Sequence, residues 1–255
     1  MSTVLAVNSF QRGVGKSMAV ANLAVLIAMQ GYRVGVVDTD FQSPAVHYLF
    51  GLPESYTDNC LNDVLAGKCR IQEATYDVTP HLHEDITGRI FLTPASIDAA
   101  QIVKVMNKRF DLNVLDESLD LLSEELKLDI LLIDTHAGLD EQTMGLIAMS
   151  NSLIIVMRLD PQTYQGVAVT VEVARRLELP QITLIVNDLL PSYEVDQVKS
   201  QLEAAYHCPV IAVIPHANEM MSLTHSKIFV SHYPKHVVTA QFKRAANMLV
   251  AGIHS

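Results

Sequence analysis

Seven short apolar runs recur along the chain: "TVLAVNS" (3–9), "RVGVVD" (33–38), "RIFLTPA" (89–95), "DILLIDT" (129–135), "SLIIVMR" (152–158), "QITLIVND" (181–188) and "PVIAVIP" (209–215). Runs this short and this continuously apolar are what strands buried on both faces require. Between them lie helix-length segments: one from the glycine-rich stretch to about Met29, closed by Gly31, then 97–107, 113–127, 140–149, 163–177, 194–206 and 238–252. The last carries Phe242, Ala245, Ala246 and Leu249 at helical spacing, a core-facing stripe. This alternation predicts an α/β fold, a doubly wound and mostly parallel sheet flanked by helices, with residues 1–255 as a single domain. In such sheets ligands bind beyond the carboxyl ends of the strands. The polar residues that end the runs are therefore the place to look for chemistry.

Bulk properties narrow the function classes. With 49% apolar and 18% charged residues, and no linker or repeat, the chain is globular and not disordered. A net charge of −10 argues against a surface coated for nucleic acid. Only the C-terminal stretch is basic, with Lys227, Lys235, Lys243 and Arg244 against Glu219, and with His216, His225, His232, His236 and His254. DNA contact through it is not favoured over an ordinary solvated face. Cys60, Cys69 and Cys208 form no CxxC pair, which suits unpaired thiols in a reducing compartment. The first run starts at Thr3, leaving no room for a signal peptide, and the longest apolar stretch (18–29) is too short to span a bilayer. The expectation is a cytoplasmic protein without a transmembrane segment.

The first run leads into "FQRGVGKS" (10–17), which ends like a phosphate-binding loop but carries Phe10 where the pattern GxxxxGK[ST] has a glycine. Gly13 and Gly15, around Val14, let backbone N–H groups turn toward phosphate oxygens, and the helix that follows adds its N-terminal partial charge. Lys16 supplies a point charge for the β and γ phosphates, Ser17 a hydroxyl for Mg²⁺, and Met18 continues the helix. Asp134 ends "ILLID", placed as a carboxylate that holds a metal through water, or else as a turn aspartate. "VVDTDFQSP" (36–44) sets Asp38 and Asp40 two apart, either to orient metal and water or as solvated acids of a turn.

These three motifs in this order resemble the MinD/ParA family of deviant Walker ATPases, P-loop NTPases that include chromosome, plasmid and cell-division positioning proteins. "IVND" (185–188) and "VIPHANEM" (213–220) are similar to the family's base-binding segments. The resemblance implies a cytoplasmic bacterial protein that binds ATP and Mg²⁺, forms a face-to-face homodimer around two nucleotides, and comes apart on slow hydrolysis. An unidentified protein partner or cargo adaptor would act on it. Carried over by position, Gln11 to Met18 cradle the phosphates, with Lys16 and Asp40 catalytic. Ser17 is the metal ligand, Asp38 and Asp134 support the metal, and Asn187 with Pro215, His216 and Ala217 holds the adenine. Two positions depart from the family. Its cross-dimer lysine is Gln11 here, and the glycine after it is Arg12. Arg12 restores a positive charge one residue later and is expected to take part of the lysine's role; the alternative is that it pairs with Asp40 or Asp140 of its own subunit. His136 stands where small residues or proline are usual. The leading expectation is an ATP-dependent switch that positions a cargo; a nucleotide-binding scaffold with little hydrolysis is the alternative, favoured by Gln11. A tyrosine autokinase lacks its C-terminal tyrosine cluster, and an iron–sulfur relative its mid-chain cysteines, since 70–207 contains none.

Overall fold

Every apolar run becomes a strand in the computed structural model, which describes residues 2–53, 59–82, 86–107, 110–223 and 227–252. The strands are β1 (Thr3–Asn8), β2 (Arg33–Asp38), β3 (Tyr76–Asp77), β4 (Arg89–Thr93), β5 (Ile130–Asp134), β6 (Ser152–Met157), β7 (Gln181–Leu189) and β8 (Val210–Pro215). They form one sheet in the order β3-β4-β2-β5-β1-β6-β7-β8. All pairings are parallel except the short antiparallel one of β3 with β4. The expected doubly wound sheet is therefore present. β3, only two residues long, carries no period for the sequence to betray.

The helices are α1 (Lys16–Ala28), α2 (Val46–Leu49), α3 (Leu61–Leu65), α4 (Ala99–Asn107), α5 (Leu112–Leu126), α6 (Glu141–Ala148), α7 (Pro161–Arg176), α8 (Val195–Tyr206), α9 (Asn218–Ser222), α10 (Phe229–His232) and α11 (Val237–Ala251). Gly31, at φ 96°, turns the chain after α1 in the left-handed region that glycine favours. α2, α3, α9 and α10 are single turns, too short to show an amphipathic period.

Alternation along the strands divides the core. Leu5 and Val7 of β1 and Ile130 and Leu132 of β5 face the layer built by α1 and α11. Ala6 faces the opposite layer with α7 and α8, and Leu131 and Ile133 face α5. Sheet side chains point alternately to either face, so runs apolar at every position need helices on both. α1 is buried almost all round, and its buried Asn22 is satisfied: Nδ2 donates to the Met18 carbonyl (2.7 Å) and Oδ1 accepts from Val230 N (2.9 Å). That single polar residue thus fastens α10 onto α1. In α11 the stripe Phe242, Ala245, Ala246 and Leu249 is buried against this layer. No helix among the described residues is long and apolar enough to cross a membrane. His225 and His254 of the basic C-terminal stretch lie outside the described residues.

Candidate functional site

The chain changes direction across the sheet at β1, which lies between β5 and β6, and the glycine loop leaves from its carboxyl end. Gly13 (φ 75°) and Gly15 (φ 94°) both lie in the left-handed region, and a Cβ on Gly13 would meet nothing within 4 Å. Gly15 caps α1 without a side-chain hydrogen bond, and the first turn holds no acid. The helix therefore presents unoccupied backbone N–H groups and its positive end, which suits an anion.

Lys16, Ser17, Asp40 and Asp134, expected to act together, are together. The Lys16 ammonium donates to Asp134 Oδ1 at 2.5 Å and lies 3.7 Å from Asp40 Oδ2, with all three side chains nearly buried. Ser17 Oγ donates to Asp134 Oδ2 at 2.6 Å. A cavity of about 340 Å³, a size suited to a small ligand, opens here between the loop residues Arg12, Gly13 and Gly15 to Met18 and Asp40, Ser43 and Tyr48. Burial alone would lower the Lys16 pKa, but the charges of Asp134 and Asp40 outweigh it and move it upward. Burial raises Asp134 despite Lys16 and Ser17.

Asp38 is spatially close but differently employed. It is fully buried; Oδ1 accepts from Asp40 N (3.0 Å), and Oδ2 from Ala45 N (3.3 Å) and Val46 N (3.4 Å). Its carboxyl fastens the turn that carries Asp40; the family resemblance implied a supporting role around a metal. Burial, then the neighbouring Asp134, push its pKa from 3.8 up to about 8. A carboxyl raised in the folded state binds its proton more tightly there than when unfolded. Its contribution to stability is full below pH 3.8 and is lost as pH rises toward and through about 8. The nucleotide-free protein should therefore lose melting temperature across that window, and Asp38→Asn should flatten the dependence; parallel curves would remove Asp38 as its source.

The leading half of the loop is held from outside. The Phe10 ring seats on Gly166 of α7, where any Cβ would overlap it. Gln11 Nε2 donates to Gln162 Oε1 (3.0 Å), and Gln11 Oε1 accepts from Thr163 Oγ1 (3.1 Å). Gln11, expected from the resemblance to stand where the family has its cross-dimer lysine, is thus tied to its own α7. Arg12 donates to Gln42 Oε1, on the turn just beyond Asp40, and not to Asp40 or Asp140. The own-subunit acid pairing weighed for Arg12 is therefore absent among its described contacts.

The residues expected to hold the base form a second group. Asn187 touches the loop directly, its Nδ2 donating to the Val14 carbonyl at 2.8 Å. Pro215 ends β8 opposite Leu189; His216 N donates to the Leu189 carbonyl (2.7 Å), and its Nδ1 lies 2.6 Å from Asp188 Oδ1. Ala217 is buried at the start of α9. Asp188 also pairs with Arg158, at the end of β6.

Sequence reasoning missed Asn8. Fully buried at the end of β1, its Nδ2 faces Thr135 Oγ1 (2.9 Å) and the carbonyls of His136 (3.0 Å) and Gly138 (3.2 Å). It fixes the segment after Asp134 to the loop's entry, and an amide ending an apolar run was the signal for it. His136 lies 3.7 Å from Asp140 and lines a separate cavity of about 180 Å³ with Phe41 and Phe110.

Comparison with known proteins agrees with this geometry. Residues 2–184 match the family model described as an AAA domain. The chain is 29% identical over 215 residues to an uncharacterized ATP-binding protein of Methanocaldococcus jannaschii, covering 84% of this chain and 75% of that one. It is 25% identical over 231 residues to a putative septum site-determining protein MinD of Emiliania huxleyi, covering 87% and 77%. The structure of septum site-determining protein MinD with Mg-ADP from Pyrococcus horikoshii shares the fold, with a TM-score of 0.81 at 23% identity, over 100% of this chain and 99% of that one. The chain belongs to the AAA-domain family matched here, and within it is a P-loop NTPase of the MinD/ParA type.

Proposed function

We propose that the whole chain is one nucleotide-binding unit that binds ATP with magnesium, dimerises in the ATP state, hydrolyses slowly and positions a cellular cargo through a protein partner in the cytoplasm. The observation that carries this reading is Lys16: it stands at the uncapped start of α1 with Ser17, Asp40 and Asp134 around it. Gln11 to Met18 surround the phosphates, with Lys16 as their counter-charge. Among the described residues no three His, Cys, Asp or Glu side chains converge as a metal cage. Magnesium, which keeps water and binds through few protein groups, fits Ser17 with Asp134 behind it, Asp38 holding the turn nearby. Asp40 positions water, and Asn187 with Pro215 to Ala217 flanks the base. The names of relatives, septum site-determining and flagellum site-determining proteins, support a role in placement.

A second reading, a nucleotide-bound scaffold with little hydrolysis, is favoured by one observation: Gln11 brings no charge and is tied to α7. Sizing the protein with ADP and with ATP, alongside phosphate release, separates the two. A dimer with ATP and measurable turnover supports the switch; a dimer without turnover supports the scaffold; no nucleotide-dependent change overturns both. Arg12, whose acceptor is an amide, has no acid partner among the described residues and keeps its charge for a partner's phosphates. A charge-assisted contact of roughly 1.5–3 kcal/mol predicts that Arg12→Ala weakens the ATP dimer by about tenfold or more. Gln11→Ala should weaken it less. Equal dimerisation of Arg12→Ala and wild type would exclude the arginine from this role.

A further inference from the structure

Asn187 does more than flank a base. Its Nδ2 donates to the carbonyl of Val14, the residue between the two glycines of the loop. In a trans peptide the C=O and the following N–H point in opposite directions. Holding the Val14 carbonyl outward therefore aims the Gly15 N–H inward, toward the side where Lys16 and Ser17 stand. The same contact explains why residue 15 must be glycine: a Cβ there would overlap the Asn187 amide, and the backbone sits at φ 94°. Val14 is itself buried, and a buried carbonyl calls for a hydrogen-bond partner, which Asn187 supplies.

The turn that presents Asn187 is built to be stiff. The β7–β8 register is irregular between Val186 and Leu189, and Asp188 lies in the left-handed region at φ 59°. Its carboxylate is held from both sides, by Arg158 at the end of β6 and by His216 beyond β8. Three adjacent strand ends thus converge to fix one amide against the loop.

We infer that Asn187 is a positioning residue for the phosphate-binding loop, orienting its Gly15 N–H whether or not a base is present. The inference rests on the nucleotide-binding reading given above and adds to it a role independent of the base. Oδ1 of Asn187 is buried and has no hydrogen-bond partner among the described residues, so the same amide retains an acceptor after Nδ2 is committed to the loop.

The discriminating probe is inorganic tripolyphosphate, which carries the phosphates of ATP but neither sugar nor base. Affinities for magnesium-ATP and magnesium-tripolyphosphate are measured by calorimetry on wild type, Asn187→Ala and Asn187→Asp, with melting curves run on each. Asn187→Asp keeps the side-chain volume while setting an oxygen against the Val14 carbonyl, so it serves where the alanine variant folds poorly. The expected result is a loss of about tenfold for both probes in Asn187→Ala, the size of one hydrogen bond, and a larger loss for both in Asn187→Asp. A loss confined to ATP, with tripolyphosphate bound as by wild type, overturns the positioning role and leaves only base contact. If wild type binds ATP in a manner insensitive to Lys16→Ala, the nucleotide site itself is misassigned and the inference falls with it. The Gly15 amide resonance gives a second readout: it should shift in Asn187→Asp without any ligand, and an unmoved resonance contradicts the inference.

Discussion

Lys16→Ala is expected to abolish magnesium-ATP binding, with an affinity loss of about 100-fold or more, because the phosphates lose the one buried cation among the described residues. The change also has a cost in stability. Asp38, Asp40 and Asp134 surround Lys16, and all are buried. Without the ammonium the carboxyls face one another in a poorly solvated pocket. Removing one partner of a buried pair costs about 3–5 kcal/mol, and the remaining acids respond by taking up protons. The variant should therefore melt well below wild type at neutral pH and recover part of the difference in acid. Calorimetry below the melting transition separates lost binding from lost folding. Wild-type affinity in a folded Lys16→Ala variant would show that the site is wrongly assigned.

Asp40→Ala is expected to cut turnover by about 100-fold while leaving ATP affinity largely intact, the range typical of a positioned general base. Asp40 is the more weakly bound of the acids near Lys16. Its Oδ2 lies 3.7 Å from the ammonium, and its Oδ1 accepts only a 3.2 Å bond from Ser43 N. Asp134, by contrast, has both oxygens engaged, by Lys16 and by Ser17. Of the two, Asp40 is the one free to hold a water. The variant should accumulate as an ATP-bound form, visible by sizing and by retained nucleotide. Unchanged phosphate release would take Asp40 out of the mechanism.

The strands and long helices were legible because burial on both sheet faces leaves an unbroken apolar record, as in "DILLIDT" and "SLIIVMR". The cluster of Lys16, Ser17 and Asp134 was legible for a related reason: ligand chemistry gathers at strand ends, and strand ends could be counted. The local partners were not. That Asp38 would spend its carboxyl on the N–H groups of Asp40, Ala45 and Val46 depends on a turn without periodicity. Gln11 reads as a missing charge in sequence, yet its amide acquires Gln162 and Thr163 only once α7 is laid beside β1. The contacts of Asn8 and Asn187 likewise span more than a hundred residues. No local pattern reports such distances.

Phe10 seated on Gly166 ties two remote positions into one choice. A ring at the first leaves no room for a side chain at the second. A side chain at 166 fits only if the ring at 10 is removed or displaced, so Gly166→Ala and Phe10→Ala should be non-additive when combined. The residue that breaks the glycine pattern of the loop is thus half of a matched pair, and the other half sits in α7.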